Sequence, residues 1–194
     1  MPLWGTSDSD ESKPKNLTTA EKKEVYATNS GWVREAGSIL SGNGNTDADP
    51  EVLVAVSGLA DSIGAADVTE VEWITTTADK SEGFTLSVRV RYNEEVTVTG
   101  SPTIAVTNGN QGSGSGRGPH NLPYASGTGT NELVFTLAIG ANNAATNASD
   151  VLSIGTNPMN LNSGTIKDAG TNTASTITSA ASIGTAAGTI TVAA

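Results

Sequence analysis

The stretch Phe84-Thr85-Leu86-Ser87-Val88-Arg89-Val90-Arg91-Tyr92 decides how the chain is read. Apolar side chains fall on the even numbers and polar ones on the odd, up to Tyr92. A period of two sends successive side chains to opposite faces of a strand, so the segment predicts one buried face and one wet face. The pattern recurs downstream. Val96 and Val98 continue it, Gly100-Ser101-Pro102 marks a turn, and Thr103-Ile104-Ala105-Val106-Thr107 alternates again. Leu133, Phe135, Leu137 and Ile139 repeat it, and Val151, Leu152 and Ile154, then Thr165-Ile166, give shorter strands. No long helical period is present, which argues against an α/β fold. Short strands at this spacing predict an all-β domain, a β-sandwich over 81–175.

The material for a core is limited. Among 194 residues there are two Phe, three Tyr and three Trp, so the interior must be built mainly from Val, Ile, Leu and Ala. A core that thin leaves some stability to be supplied by neighbours. Net charge is −10 and the ten basic residues are scattered, which argues against a nucleic-acid partner. Cysteine is absent, so no disulfide, thiolate nucleophile or thiolate metal site can form. There is no apolar run long enough to predict a membrane span. The opening Met1-Pro2-Leu3-Trp4-Gly5 has no basic region followed by an apolar run and does not read as a signal peptide. The expectation is a chain assembled inside a cell.

Ahead of the main domain, residues 1–50 read as an arm. Residues 1–16 are polar and unperiodic, apart from Trp4, which packs either on the home domain or on a partner. Thr18 and Glu21 have capping-box spacing and predict a short helix within 17–26. Gly31-Trp32-Val33 is a small apolar anchor, and 41–50 is a clear break. Residues 51–80 read as linking strands. Val52 and Val54 alternate with Leu53 and Ala55, which are also apolar, so this strand is covered on both faces or lies in an interface. From Ala169 to Ala194 no side chain is charged. Residues 176–194 predict either a last strand closing the sandwich or an edge that pairs with another subunit.

Little here carries chemistry. His120 is the single histidine, so neither a triad nor a His-rich zinc site can be built, and it is expected to face solvent in a loop. The run Gly112-Ser113-Gly114-Ser115-Gly116-Arg117-Gly118 lacks the Gly-Lys-Ser/Thr ending of a phosphate loop. Asp47 with Asp49, or Asp61 with Asp67, offers hard oxygen atoms to calcium, but no EF-hand pattern exists. No metal set and no cofactor is assigned. Glu94 and Glu95 are adjacent, so on a strand they point to opposite faces instead of flanking a cleft as a glycosidase pair would. Solvated turn charges are expected. Arg89 and Arg91 share the wet face of their strand, either as an open sheet face or against an acidic neighbour. The chain is not expected to be an enzyme.

Two resemblances add to this reading. Arg91-Tyr92-Asn93-Glu94-Glu95-Val96-Thr97-Val98-Thr99-Gly100-Ser101-Pro102-Thr103-Ile104-Ala105-Val106 resembles a family of bacterial immunoglobulin-like repeats found in large surface adhesins. Tyr124–Thr136 and Leu161–Gly170 look like the next and closing signatures of that family, and together the three cover about 80–170. The resemblance implies an immunoglobulin-like β-sandwich that spaces or displays, with no active site. The arm is similar to structural proteins of marine T4-like bacteriophages, particularly cyanophages, on Met1–Gly5, Gly31-Trp32-Val33 and Glu51-Val52-Leu53-Val54-Ala55.

The second resemblance implies a virion protein, most simply a capsid decoration or cement protein bridging major capsid subunits and assembled in the host cytoplasm. A tail, neck or fibre role stays open, as does a non-catalytic module binding a host-surface glycan. Interface anchors are expected at Trp4, Trp32, Val33, Val52 and Val54. Outer-face or loop contacts are expected at Arg89, Arg91, Arg117 and Tyr124. The expected partners are the major capsid protein or other virion proteins, with self-association open, and neither nucleic acid nor membrane.

Overall fold

The computed structural model describes residues 13–109, 119–179 and 181–194. In chain order the elements are α1 (Thr19–Lys23), β1 (Val25–Thr28), β2 (Gly31–Arg34), a 3-10 turn (Ile39–Ser41), β3 (Glu51–Ala55), β4 (Val68–Trp73), β5 (Ala78–Asp79), β6 (Phe84–Thr99), β7 (Thr103–Gly109), β8 (His120–Ser126), β9 (Thr130–Ile139), β10 (Val151–Asn160), β11 (Thr165–Asp168), α2 (Ala181–Ala186) and β12 (Thr189–Ala193). The strand expected at 84–92 is the first half of β6, the longest strand among the described residues. Its even-numbered side chains are buried as the alternation requires: Leu86, Val88, Val90 and Tyr92. Across the ladder Leu86 meets Leu137, Val88 meets Phe135 and Val90 meets Leu133. Such apolar cross-strand pairs are what stabilise a sheet.

The expected immunoglobulin-like β-sandwich is not what forms. Among the described residues the strands make one mixed sheet in the order β3-β2-β1-β6-β9-β8-β7-β10-β12-β5, with β4 and β11 also paired to β6. It is not closed into a sandwich or a barrel. Two strands supply the continuity. β8 pairs with β7 through His120–Pro123 and then with β9 from Tyr124 onward. β6 is long enough to serve β4 and β9 with its first half and β11 with its second. Alternation of side chains fixes which residues are buried, but not which strand changes partner, so the sequence pattern suits either arrangement. The all-β reading itself stands. One apolar cluster draws on β6, β9, β7, β8 and β10 together, including Leu86, Phe135, Ile104, Leu122 and Leu152.

Residues 13–63 are more ordered than an arm. β1 and β2 form a hairpin, and β3 adds to β2 with Trp32 opposite Val54 and Val33 opposite Val52. Residues 51–55 thus belong to this N-terminal unit and do not merely link. Gly31 starts β2 at φ +126°, where an added Cβ would stand 2.0 Å from the Val54 carbonyl oxygen. Only glycine permits β3 to approach there. The unit has its own small core of Val25, Ala27, Trp32, Val56 and Leu59. It docks on β6 by a parallel contact between Ala27 and Glu94.

The capping box forms as the spacing predicts. The Thr18 hydroxyl accepts from the Glu21 amide at 3.2 Å, and the Glu21 carboxylate accepts from the Thr18 amide at 2.8 Å. Because α1 buries no side chain, Thr18→Ala is expected to cost only about 1 kcal/mol, readable by denaturant unfolding. The uncharged tail does supply a last strand. β12 pairs antiparallel with β10 and parallel with β5, so this edge is used internally. The short helix α2 was not foreshadowed by any periodicity in 169–194.

Candidate interaction surface

The largest departure from the sequence reading concerns the supposedly wet face of β6. Over Arg91 that face is covered by the N-terminal unit, and carboxylates from the flanking strands β4 and β9 share it. Arg91 is buried. Its Nη2 lies 3.2 Å from Glu35, and its Nε lies 2.9 Å from Glu132 and 3.5 Å from Glu72. Its Nη1 donates to the Lys23 carbonyl at 3.1 Å. Arg89 is half-buried and contacts Glu72 at 2.6 Å and Glu132 at 3.1 Å. The acidic neighbour considered for these arginines is thus intramolecular. Glu72 and Glu132 come from the strands flanking β6, and Glu35 follows β2.

The network extends outward. Lys23 pairs with the buried Glu70, and Arg34 contacts Glu21 at 3.3 Å and Glu51 at 3.6 Å. Lys13 donates to the Lys22 carbonyl at 2.6 Å, and burial, with Arg91 nearby, pulls its ammonium down to about 8. Burial pushes the Glu35 carboxyl up to about 7, against the pull of Arg91 and with Glu132 and Glu24 adding to the rise. A group whose folded value is raised contributes stability that is present below its ordinary value and lost as pH climbs to the folded one. Here that window runs from 4.5 to about 7. Glu35→Gln is therefore expected to flatten the pH dependence of denaturant stability across this window. The slope removed would be a fraction of the ~1.4 kcal/mol per pH unit that one full proton would give.

The expected anchors divide. Trp32 is 2% exposed and packs in the small core of the N-terminal unit, and Val33, paired with Tyr26 and Val52, is equally buried. Val54 is half-buried and packs on the same small core. Val52 is 51% exposed on β3, whose outer edge carries no strand among the described residues. Two apolar side chains that the sequence reading did not single out lie in the 3-10 turn leading toward it: Ile39 at 85% exposed and Leu40 at 49%. Isolated exposed apolar residues are ordinary, whereas their conjunction with an open strand edge is not. Ile39 lines a cleft with Pro50, Tyr26, Asn131, Arg89 and Glu132. Trp4 lies outside the described residues, as does Arg117 in the glycine run.

Other expectations change as well. Tyr124 is half-buried. Its ring packs edge-on to Phe135 at 6.0 Å, and its hydroxyl accepts from the Thr128 amide at 2.8 Å. His120 does not face solvent: it is buried at the start of β8, with Nε2 3.3 Å from the Thr146 hydroxyl, and burial lowers its basicity. Asp47, Asp49, Asp61 and Asp67 are all exposed. Among the described residues no three His, Cys, Asp or Glu side chains come together as a metal cluster.

Glu94 is the strongest miss. Expected as a solvated turn charge, it is 1% exposed and sits against the Asp168 carboxyl. Glu94 is even-numbered and in phase with Leu86, Val88, Val90, Tyr92 and Val96, so the alternation of β6 carries it to the buried face, while the β6–β9 register breaks between Arg91 and Val96. Burial and the nearby Asp168 push its carboxyl up to about 9. With this geometry in hand, comparison with known proteins adds nothing to it: no family model, no curated protein and no solved structure matches the chain.

Proposed function

We propose that the chain is a non-catalytic structural subunit of a bacteriophage particle, a capsid decoration protein that bridges major capsid subunits through its N-terminal unit. The observation that carries this reading is the open outer edge of β3, with Val52 on the strand and Ile39 and Leu40 on the turn leading toward it. An unpaired edge offers a row of backbone donors and acceptors to a strand of a neighbouring chain, and adjacent apolar side chains add burial. Ion pairs of Arg91 with Glu35 and of Lys23 with Glu70 fix the unit that bears this edge onto the rest of the protein. Such an edge is presented rigidly, which lowers the ordering cost of association. The similarity of Met1–Gly5, Gly31-Trp32-Val33 and 51–55 to phage structural proteins supplies the choice of particle. Repetition by symmetry makes many weak contacts effective.

The test is co-sedimentation with undecorated heads of a T4-like phage. Wild type is expected to bind saturably. Val52→Lys and Ile39→Lys place a charge on the edge or turn without touching a core, so the fold should hold to within about 0.5 kcal/mol, and binding should fall sharply. If both variants bind as wild type does, the β3 edge is not the contact. If wild type binds no phage particle, the virion reading fails.

A further inference from the structure

We propose that Asn43 is a site of spontaneous deamidation, at which the exposed Asn43-Gly44 turn closes to a succinimide and then opens to aspartate or isoaspartate. The sequence holds the dipeptide Asn-Gly twice, at Asn43-Gly44 and at Asn108-Gly109. Ring closure requires the amide nitrogen of the glycine to reach Cγ of the asparagine, so its rate depends on how readily the backbone allows that approach. Glycine favours it at both places, since no Cβ hinders the nitrogen or restricts the dihedral angles. The fold then separates two sites that the local sequence leaves alike.

Asn43 and Gly44 are both exposed, in the irregular stretch between the 3-10 turn and β3. The Asn45 amide donates to Asn43 Oδ1 at 3.1 Å, which folds the side chain back over Gly44 and draws electron density from Cγ. The Gly44 amide makes no hydrogen bond among the described residues. A Cβ built on Gly44 would meet nothing within 4 Å, so the nitrogen stands in open space. Asn108 differs on each point. It is 5% exposed near the end of β7, paired with Leu152 of β10, and its Nδ2 donates to the Ala145 carbonyl. Gly109 is paired in turn with Val151. The extended ladder holds the Gly109 nitrogen away from Cγ, and the amide that would have to leave is engaged.

The chemistry needs only water. Loss of the Gly44 amide proton to hydroxide lets the nitrogen attack Cγ of Asn43. The N–Cγ bond forms, the Cγ–Nδ2 bond breaks, and the nitrogen leaves as ammonia with a proton taken from water. Water then opens the ring. Breaking the new N–Cγ bond gives aspartate, and breaking the bond to the Asn43 backbone carbonyl carbon gives isoaspartate, with the chain rerouted through Cβ and Cγ. Either product makes the chain, of net charge −10, more acidic. The turn belongs to neither apolar cluster, so the fold is retained. The new carboxylate follows closely on the exposed Ile39 and Leu40, so aged protein carries a charge there that fresh protein lacks.

The experiment ages the full chain at pH 8 and 37 °C in water enriched in oxygen-18 and follows its peptides by fragmentation mass spectrometry. Conversion at Asn43 with uptake of the heavy oxygen is expected, roughly tenfold or more faster than at Asn108. In urea the two sites should convert at similar rates, because the constraint on Asn108 is gone. Gly44→Ala meets no neighbouring atom and no left-handed backbone, so it should fold as wild type does by circular dichroism while slowing conversion at Asn43 several-fold. The proposal is overturned if Asn43 stays intact, if it converts no faster than Asn108 in the folded chain, or if Gly44→Ala leaves its rate unchanged. A difference between the two sites that persists in urea would trace to the flanking residues and not to the fold, and would overturn it too.

Discussion

Replacing Arg91 with alanine is expected to destabilise the protein by about 3–5 kcal/mol, the range for removing one partner from a buried ionic cluster. The truncation leaves three carboxylates, Glu35, Glu72 and Glu132, facing a site that has lost its central positive charge. Arg89 still neutralises Glu72 and Glu132 in part, but it does not reach Glu35. The Lys23 carbonyl also loses the donor that ties α1 to β6. The deficit should shrink on acidification, because Glu35 already holds its proton up to about pH 7 and the loss of Arg91 would raise that further. Urea unfolding at pH 8 and pH 5 checks both points. Arg91→Met combined with Glu35→Gln should recover part of the loss, since Glu35, the carboxylate that Arg89 does not reach, then carries no stranded charge, while Glu72 and Glu132 keep Arg89. A loss below about 1 kcal/mol, the size of an exposed pair, would show that the cluster is solvated and that the N-terminal unit is not anchored there.

Trp32→Ala is expected to cost a comparable amount, about 3–5 kcal/mol for emptying a buried aromatic site. The indole is enclosed by Val25, Ala27, Val56 and Leu59, with Leu53 and Val54 at the rim. Its Nε1 has no hydrogen-bond partner, so the loss is one of packing. The damage should be local. This cluster is separate from the one formed by β6, β9, β7 and β10. Amide exchange is the appropriate reading: protection should fall over 25–34 and 51–59 and persist over 84–92 and 130–139. Equal loss in both regions would mean that the two clusters unfold as one cooperative body. Trp32→Phe should retain most of the protection.

What the sequence conveyed can be traced to particular residues. The period of two in 84–92 placed Leu86, Val88 and Val90 in the core, and the Thr18–Glu21 spacing placed the cap, because both signals are local. The fate of the opposite face was not local. Arg89 and Arg91 look like surface residues because the carboxylates that enclose them, Glu35, Glu72 and Glu132, are far apart in the chain. Nothing in a single strand announces that another segment will lie across it. Gly31-Trp32-Val33 was legible as an apolar anchor, but not that it would anchor the unit to itself. Glu94 was hidden by a different effect. The period of two continues past Tyr92 through Glu94 to Val96, so Glu94 lies on the buried face by position, and only its charge made it read as a solvated turn residue. The sandwich expectation failed for a related reason. Strand count and spacing do not report that β8 passes from β7 to β9, or that β6 serves several partners along its length.

The most direct test of the central claim is cryo-electron microscopy of T4-like phage heads saturated with the chain. Regularly placed density on the head is expected, oriented so that the β3 edge bearing Val52 abuts the shell. Density confined to the tail or neck, or density on the head with β3 turned to solvent, would contradict it.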